Sequence, residues 1–74
     1  MLVHKEKRTY ANGDVYIGEF FEGLMQGKGK YTWANGNVYE GDFINEEMHG
    51  NGKITAKNGD IIQEGKFEYG LFIG

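Results

Sequence analysis

Two consecutive stretches of the chain follow one pattern, and this repeat constrains the fold more than any other feature. Residues 16–38 read YIGEFFEGLMQGKGKYTWANGNV, and residues 39–61 read YEGDFINEEMHGNGKITAKNGDI. At a shift of 23 residues, both stretches carry tyrosine, phenylalanine, methionine, lysine and threonine at matching positions, together with several glycines and an Asn-Gly pair. A fixed period of this length is typical of a linear array of supersecondary units. We therefore predict one domain over residues 1–74, with partial units at 6–15 and 62–74 flanking the two full ones.

Turn signals divide these units into short strands. Asn-Gly pairs are a strong short-range signal of a β-hairpin, because these residues accept the positive φ that the turn requires. The chain carries such pairs at Asn12-Gly13, Asn35-Gly36 and Asn58-Gly59. After a lead-in over Met1–Lys5, we predict six strands in an antiparallel meander, at Glu6–Tyr10, Val15–Phe21, Gly27–Trp33, Val38–Ile44, Gly50–Ala56 and Ile62–Phe67. The other turns are predicted at Glu22–Gln26 and Asn45–His49.

Alternation along the strands predicts one aromatic face and one polar face. Trp33 and Tyr39 can share a face only if the Asn-Gly loop between them contains an odd number of residues. This parity predicts a three-residue loop with Gly36 in the left-handed conformation. Gly29 falls on the aromatic face, where a strand glycine lets a neighbouring ring lie flat over it. From Gly59 onward the spacing grows by one residue, which predicts a β-bulge in the last strand.

The repeated motifs resemble those of a known family. The pattern Y-x-G-x-F, followed by G-x-G and an Asn-Gly pair, occurs as YIGEF with GKG and as YEGDF with GNG. It resembles the MORN (membrane occupation and recognition nexus) repeat over about residues 7–74. The resemblance implies an all-β fold, in which tandem β-hairpins form a single twisted antiparallel meander sheet. It also implies a module for protein interaction or scaffolding, of the kind found in cytoskeletal scaffolds, with phospholipid binding as a second proposed role.

Residues suited to catalysis are scarce. The chain contains no cysteine and no serine, so the common nucleophiles are absent. We interpret the two histidines, His4 and His49, and the carboxylate pair Glu46-Glu47 as structural or solvated residues. The glycines of Gly27–Gly29 do not precede a predicted helix, so they do not form a phosphate-binding loop. We therefore predict that the protein is not an enzyme and has no cofactor and no metal site.

Charge and hydropathy limit the classes of partner and location. Eight basic and eleven acidic residues give a formal net charge of −3, whereas a nucleic-acid-binding domain usually carries a basic stripe. We expect no nucleic acid, and we do not favour phospholipid, because the basic residues alternate with acidic ones. No apolar run approaches the roughly 18 residues of a membrane span, and Met1–Arg8 lacks an apolar signal segment. We expect a cytoplasmic location, with association with the cytoskeleton or a membrane as the alternatives.

The aromatic face is the candidate partner-binding surface. A single sheet cannot bury both faces by itself, so these rings either pack among themselves or receive a partner helix or a second copy. The candidate residues are Tyr16, Phe20, Tyr31, Trp33, Tyr39, Phe43, Phe67 and Phe72. Charges protect the first strand, whereas the segment Phe67–Ile73 is largely apolar, so we expect a homodimer or another protein to dock there. Two other functions stay open: a peripheral membrane module for anionic phospholipid headgroups, and an accessory segment that regulates an associated enzyme.

Overall fold

The computed structural model describes residues 3–74, which form one open antiparallel sheet with the strands in sequence order. Within this range there are seven strands and no helix: β1 (Val3–Thr9), β2 (Val15–Phe21), β3 (Leu24–Thr32), β4 (Val38–Ile44), β5 (Glu47–Thr55), β6 (Ile61–Glu68) and β7 (Leu71–Phe72). The molecule measures 36 × 27 × 15 Å, so the sheet is a single layer. The predicted all-β meander is therefore confirmed. Met1 and Leu2, from the predicted lead-in, lie outside the described residues.

The predicted number of six strands is wrong, because the described residues contain a seventh at the C-terminal edge. β7 pairs Phe72 with Phe67 and Leu71 with Glu68. The predicted lead-in also belongs to the sheet from Val3 onward, since β1 pairs with β2 along its whole length. Both ends of the array are thus more regular than the sequence pattern indicated.

Two predicted turns are shorter than expected. Glu22 and Gly23 form the turn between β2 and β3, with φ angles of 52° and 80°. Asn45 and Glu46 form the equivalent turn between β4 and β5, with φ angles of 48° and 74°. Two-residue turns with positive φ at both positions match the right-handed twist of the flanking strands. β3 and β5 consequently begin earlier than predicted, and His49 lies in a strand rather than in a turn.

The Asn-Gly loop has the predicted geometry. The Trp33 N–H donates to the Asn37 carbonyl oxygen at 2.9 Å, and the Gly36 N–H donates to the Trp33 carbonyl oxygen at 2.9 Å. These bonds leave a three-residue loop over residues 34–36, with Gly36 at a φ of 96°. Because the loop is odd in length, Tyr31 and Tyr39 become direct cross-strand partners on one face. The parity prediction is therefore confirmed.

The predicted bulge in the last long strand is also confirmed. Ile54 pairs with Gln63, whereas the next residue, Thr55, pairs with Ile61. Ile62 is therefore the extra residue in β6. Its insertion places Gln63, rather than an isoleucine, at the position where each full repeat begins with a tyrosine.

The core consists of aromatic rings that lie on glycines of the neighbouring strand. Tyr16 and Tyr39 are fully buried. A Cβ atom added to Gly29 would collide with the phenol of Tyr16, and one added to Gly52 would collide with the phenol of Tyr39. Close approach of a neighbouring group is a common reason for a glycine inside a strand. The predicted packing of rings on glycines is therefore confirmed.

The first strand closes this core with charged side chains. The Arg8 guanidinium lies 4.2 Å from the centre of the Phe20 ring, a distance at which a cation is attracted to the ring face. Glu6 accepts a hydrogen bond from Arg8 at 2.9 Å and thereby orients it. Phe20 is thus covered by a side chain whose head group stays half exposed.

We expect Gly29→Val to destabilise the fold by roughly 1–3 kcal/mol, the usual cost of overpacking a well-packed core. The added side chain would have to displace the buried ring of Tyr16. Lys30→Val is the matched control, because Lys30 is exposed on the opposite face. Denaturation by urea, followed by circular dichroism, measures both free energies of unfolding. Equal costs for the two variants would contradict the assignment of faces.

Candidate functional site

The rings of the predicted partner-binding face differ sharply in exposure. Five of the eight are buried and form the hydrophobic core; these are Tyr16, Phe20, Tyr39, Phe43 and Phe67. Their side chains are therefore not available to a partner, because neighbouring rings already cover them. Tyr31 and Trp33 are half-buried, and Phe72 is 36% exposed. The accessible part of the predicted face consists of these three residues.

The buried rings contact one another edge to face along the array. Tyr16 meets Phe20 at a centroid distance of 5.0 Å and an interplanar angle of 86°, and it meets Phe43 at 5.1 Å and 87°. Tyr39 continues the chain to Phe43 and Phe67, both at 5.1 Å. Edge-to-face contacts place the positive ring edge on the negative ring face and add roughly 0.5–1.5 kcal/mol per pair. The aromatic face is therefore largely used to hold the repeats together.

The tyrosine hydroxyls secure the same core. Tyr16 donates to the carbonyl oxygen of Glu19 at 2.9 Å, and Tyr39 donates to that of Asp42 at 2.8 Å. Both carbonyls lie where the strand register shifts, so the hydroxyls compensate for irregular pairing there. Burial raises the pKa of each tyrosine to about 12. Both hydroxyls consequently remain protonated donors at neutral pH.

A groove of about 230 Å³ crosses the accessible part of this face. Aromatic residues, two methionines and two glutamates line it. Its residues are Met25, Tyr31, Trp33, Phe43, Glu46, Glu47, Met48 and Gly70. The sequence pattern missed both methionines, because they were assigned to turns rather than to the aromatic face. Their matching positions in the two repeats were the signal that could have identified them.

Glu46 has an unusual backbone conformation at the edge of this groove. Its φ of 74° lies in the left-handed region, which residues other than glycine seldom adopt. The matching turn positions in the neighbouring units are glycines, Gly23 and Gly70, at φ angles of 80° and 82°. The Glu46 carboxylate accepts a hydrogen bond from the Met25 N–H at 2.7 Å, and the Glu46 N–H donates to the Met25 carbonyl at 3.0 Å. Glu46 therefore joins the turn of one repeat to the strand of the preceding one.

Asp14 holds the aromatic residues of the groove through hydrogen bonds. The Tyr31 hydroxyl donates to its carboxylate at 2.8 Å, and the Ala34 N–H donates to the second oxygen at 2.8 Å. The bond from Tyr31 is the main cause that lowers the pKa of Asp14 below its ordinary value of 3.8; the bonds from Ala34 and Asn12 add to it, against the opposing effect of burial. Asp14 thus holds Tyr31 and the loop after Trp33 in place while it stays ionised.

The residues that the sequence analysis considered for catalysis or metal binding do not lie together in one site. His4 bonds to Glu6 at 2.8 Å on the edge strand, and His49 packs against Tyr69. Among residues 3–74, no group of three histidine, aspartate or glutamate side chains is arranged to hold a metal ion. Glu46 and Glu47 belong to the groove rather than to a carboxylate pair in a free turn. The same residues include no helix that is long and apolar enough to cross a membrane.

Comparison with known proteins supports the repeat architecture. The model of the MORN repeat matches residues 16–38 and 39–61, which are more than half of the chain. These two stretches contain β3 to β5 and all of β2 except Val15, together with both tyrosines of the core and most of the groove. A search of curated proteins found no match to the chain.

We expect the Asp14→Asn variant to have a lower melting temperature than the wild type at neutral pH. The difference in melting temperature should become smaller as the pH falls. A carboxyl group whose pKa is lowered by folding stabilises the fold fully above its ordinary pKa of 3.8 and loses this effect as pH falls through the lower, folded value. Asp60→Asn is the matched control, because Asp60 occupies the same position in the last loop but is exposed. Thermal melts between neutral pH and pH 2 would measure the difference. A constant difference across that range would contradict the role of the ionised Asp14.

Proposed function

The chain belongs to the MORN repeat family, and from this premise we propose that it is a non-catalytic protein-interaction module whose partner binds the groove beside Trp33. The single observation that carries the proposal is the uneven exposure of the aromatic face. Five rings are covered by one another, whereas Tyr31 and Trp33 keep exposed surface in a groove. Aromatic residues that are partly open to solvent beside methionines are typical of surfaces that bind other proteins.

The location of Trp33 within the array strengthens this proposal. The equivalent positions in the neighbouring units are Tyr10 and Ala56. Trp33 packs against Tyr31 at a centroid distance of 5.5 Å and against the edge of the core, but it is not one of the buried residues that form the core. Because Ala56 fits the same position in the next repeat, the fold does not require a large ring here. A role in binding explains the tryptophan better than a role in the core does.

We expect Trp33→Ala to abolish the capture of a specific protein partner while the fold is retained. Immobilised wild-type protein and the variant would be compared by quantitative mass spectrometry of the proteins that they retain from a cell extract. Ile17→Ala is the matched control, because Ile17 is 51% exposed on the opposite face. If Trp33→Ala and Ile17→Ala lose the same partners to the same extent, or if Trp33→Ala retains them, the proposal that the partner binds the groove is contradicted.

A separate measurement tests self-association. Leu71 and Ile73 are 68% and 56% exposed, so the C-terminal segment is a second apolar surface that could pair two copies. Light scattering of the purified wild type, and of a Leu71→Ser variant, would measure the mass. A dimer that Leu71→Ser dissociates and Trp33→Ala leaves intact would place self-association at this segment and leave the groove to a different protein.

We expect no binding to vesicles that contain phosphatidylserine or phosphoinositides at physiological salt. Anionic membranes attract clustered basic residues by about 1 kcal/mol each, but the eight basic residues here are interspersed with eleven acidic ones. Lys28, which points away from the groove, already forms an ion pair with Asp42. Cosedimentation with such vesicles measures the binding. Clear sedimentation that disappears at high salt would favour a peripheral membrane module instead.

A further inference from the structure

The groove combines aromatic rings with a carboxylate. The rings are those of Tyr31 and Trp33, which are tilted by 55° to each other. Glu46 also lines the groove, and its carboxylate is held there by a hydrogen bond from the Met25 N–H. An aromatic face attracts a cation through its quadrupole, and a carboxylate attracts the same cation by charge. The rings and the carboxylate therefore both favour a positively charged group.

Glu46 supplies independent support, because its backbone is strained where the neighbouring units are relaxed. The positions of Gly23 and Gly70 show that this turn needs a residue that adopts positive φ easily. A glutamate with a φ of 74° is unfavourable there, and such outliers concentrate at ligand-binding sites. One carboxylate oxygen of Glu46 bonds to the Met25 N–H, which fixes the side chain beside the groove. This hydrogen bond thus keeps a negative charge at one defined place, on a turn residue whose backbone is strained.

The two methionines of the groove match the remaining part of a basic side chain. Met25 is buried and Met48 is half-buried, and their flexible thioethers provide an apolar surface of adaptable shape. Lysine and arginine side chains consist of an aliphatic stem and a cationic head. The stem would lie on the methionines, while the head would reach the rings and the Glu46 carboxylate.

The protein's own cations do not occupy this site. Among the residues that line the groove there is no lysine or arginine. Arg8 faces Glu46 from β1, but its guanidinium bonds to Glu6 and lies over Phe20. Lys28 and Lys30 lie on the opposite face of the sheet. Among residues 3–74 no lysine or arginine forms an ion pair with Glu46, so the charge of its carboxylate is available to a partner.

We propose that the groove binds a lysine or arginine side chain from an amphipathic basic segment of a partner protein. This inference rests on the proposed interaction function and specifies the chemistry of the partner. Apolar residues of the segment would cover the exposed surface of Trp33 and Phe72. Its basic residue would lie between the aromatic pair and Glu46.

The probe is a short amphipathic helical peptide built from leucine and lysine, which is compared with peptides that carry glutamine or glutamate in place of every lysine. Trp33 is the only tryptophan of the chain, so its emission reports directly on the occupancy of the groove. We expect the lysine peptide to change this emission and to bind about tenfold more tightly than the glutamine peptide, in line with a desolvated cation beside an aromatic ring and a carboxylate.

Glu46→Gln tests the carboxylate. Glutamine keeps a carbonyl acceptor for the Met25 N–H but removes the charge. We therefore expect the variant to bind the lysine peptide about tenfold more weakly than the wild type does, and to bind the glutamine peptide with an affinity within about twofold of the wild type. Glu40→Gln makes the same change of net charge on the opposite face and should leave both peptides within about twofold. Glu46→Gly is a second variant that relieves the positive φ; it should lose the preference for lysine without loss of thermal stability.

The outcomes separate this inference from the function on which it rests. If the lysine and glutamine peptides bind equally, or if Glu46→Gln binds the lysine peptide as tightly as Glu40→Gln does, the basic partner is excluded. Calorimetry on Trp33→Ala then decides whether the groove binds peptides at all. If the lysine and glutamine peptides bind equally and Trp33→Ala abolishes the binding of both, only the preference for a basic partner is overturned. If none of the peptides binds, the basic partner is overturned, and the interaction function depends on the capture experiment alone.

Discussion

The fold depends on the contact between a tyrosine ring and the glycines that face it. A single-layer sheet has no second layer to cover its apolar side, so it must build a core from residues that lie flat on its own surface. Tyr16 and Tyr39 do this, because Gly29 and Gly52 leave the space that their phenols fill. Each ring then meets the phenylalanines of two successive hairpins edge to face, and the core propagates along the array in one direction. Stability in such an array is approximately a sum of units and of their nearest-neighbour interfaces.

This arrangement has a consequence for binding. Rings that hold the array together cannot also contact a partner, so a binding surface must come from residues that differ between the units. Trp33 replaces a tyrosine or an alanine, and Glu46 replaces a glycine. Both lie at the groove, whereas the equivalent positions of the neighbouring units carry other residues in the same fold. The shared residues of the pattern therefore explain the fold, whereas the departures from it carry the proposed interaction.

Much of the architecture was predictable from the sequence, because strand parity leaves few choices. Trp33 and Tyr39 required an odd loop, and the extra residue after Gly59 required a bulge; the structure contains both. The turns before β3 and β5 were predicted over five residues each but contain two, because neither Glu22-Gly23 nor Asn45-Glu46 is one of the Asn-Gly, Asp-Gly or Gly-Gly pairs that signal a two-residue turn. The burial of five predicted binding rings was also missed. Periodicity indicates which face a side chain occupies, but not whether its neighbours cover it.

The place where sequence reasoning failed most clearly is also the place that the proposals concern. Asn45 and Glu46 both adopt positive φ, although Glu22-Gly23 and Tyr69-Gly70 show that one glycine suits this turn. When local propensity disagrees with the fold at one position and agrees with it at the equivalent positions, the disagreement points to a requirement other than folding. The hydrogen bond from Met25 to the Glu46 carboxylate offsets part of the strain, yet a glycine at this position would need no such compensation. A carboxylate kept at the edge of an aromatic groove is the feature that a relaxed turn could not supply, and a cationic partner is the ligand that would use it.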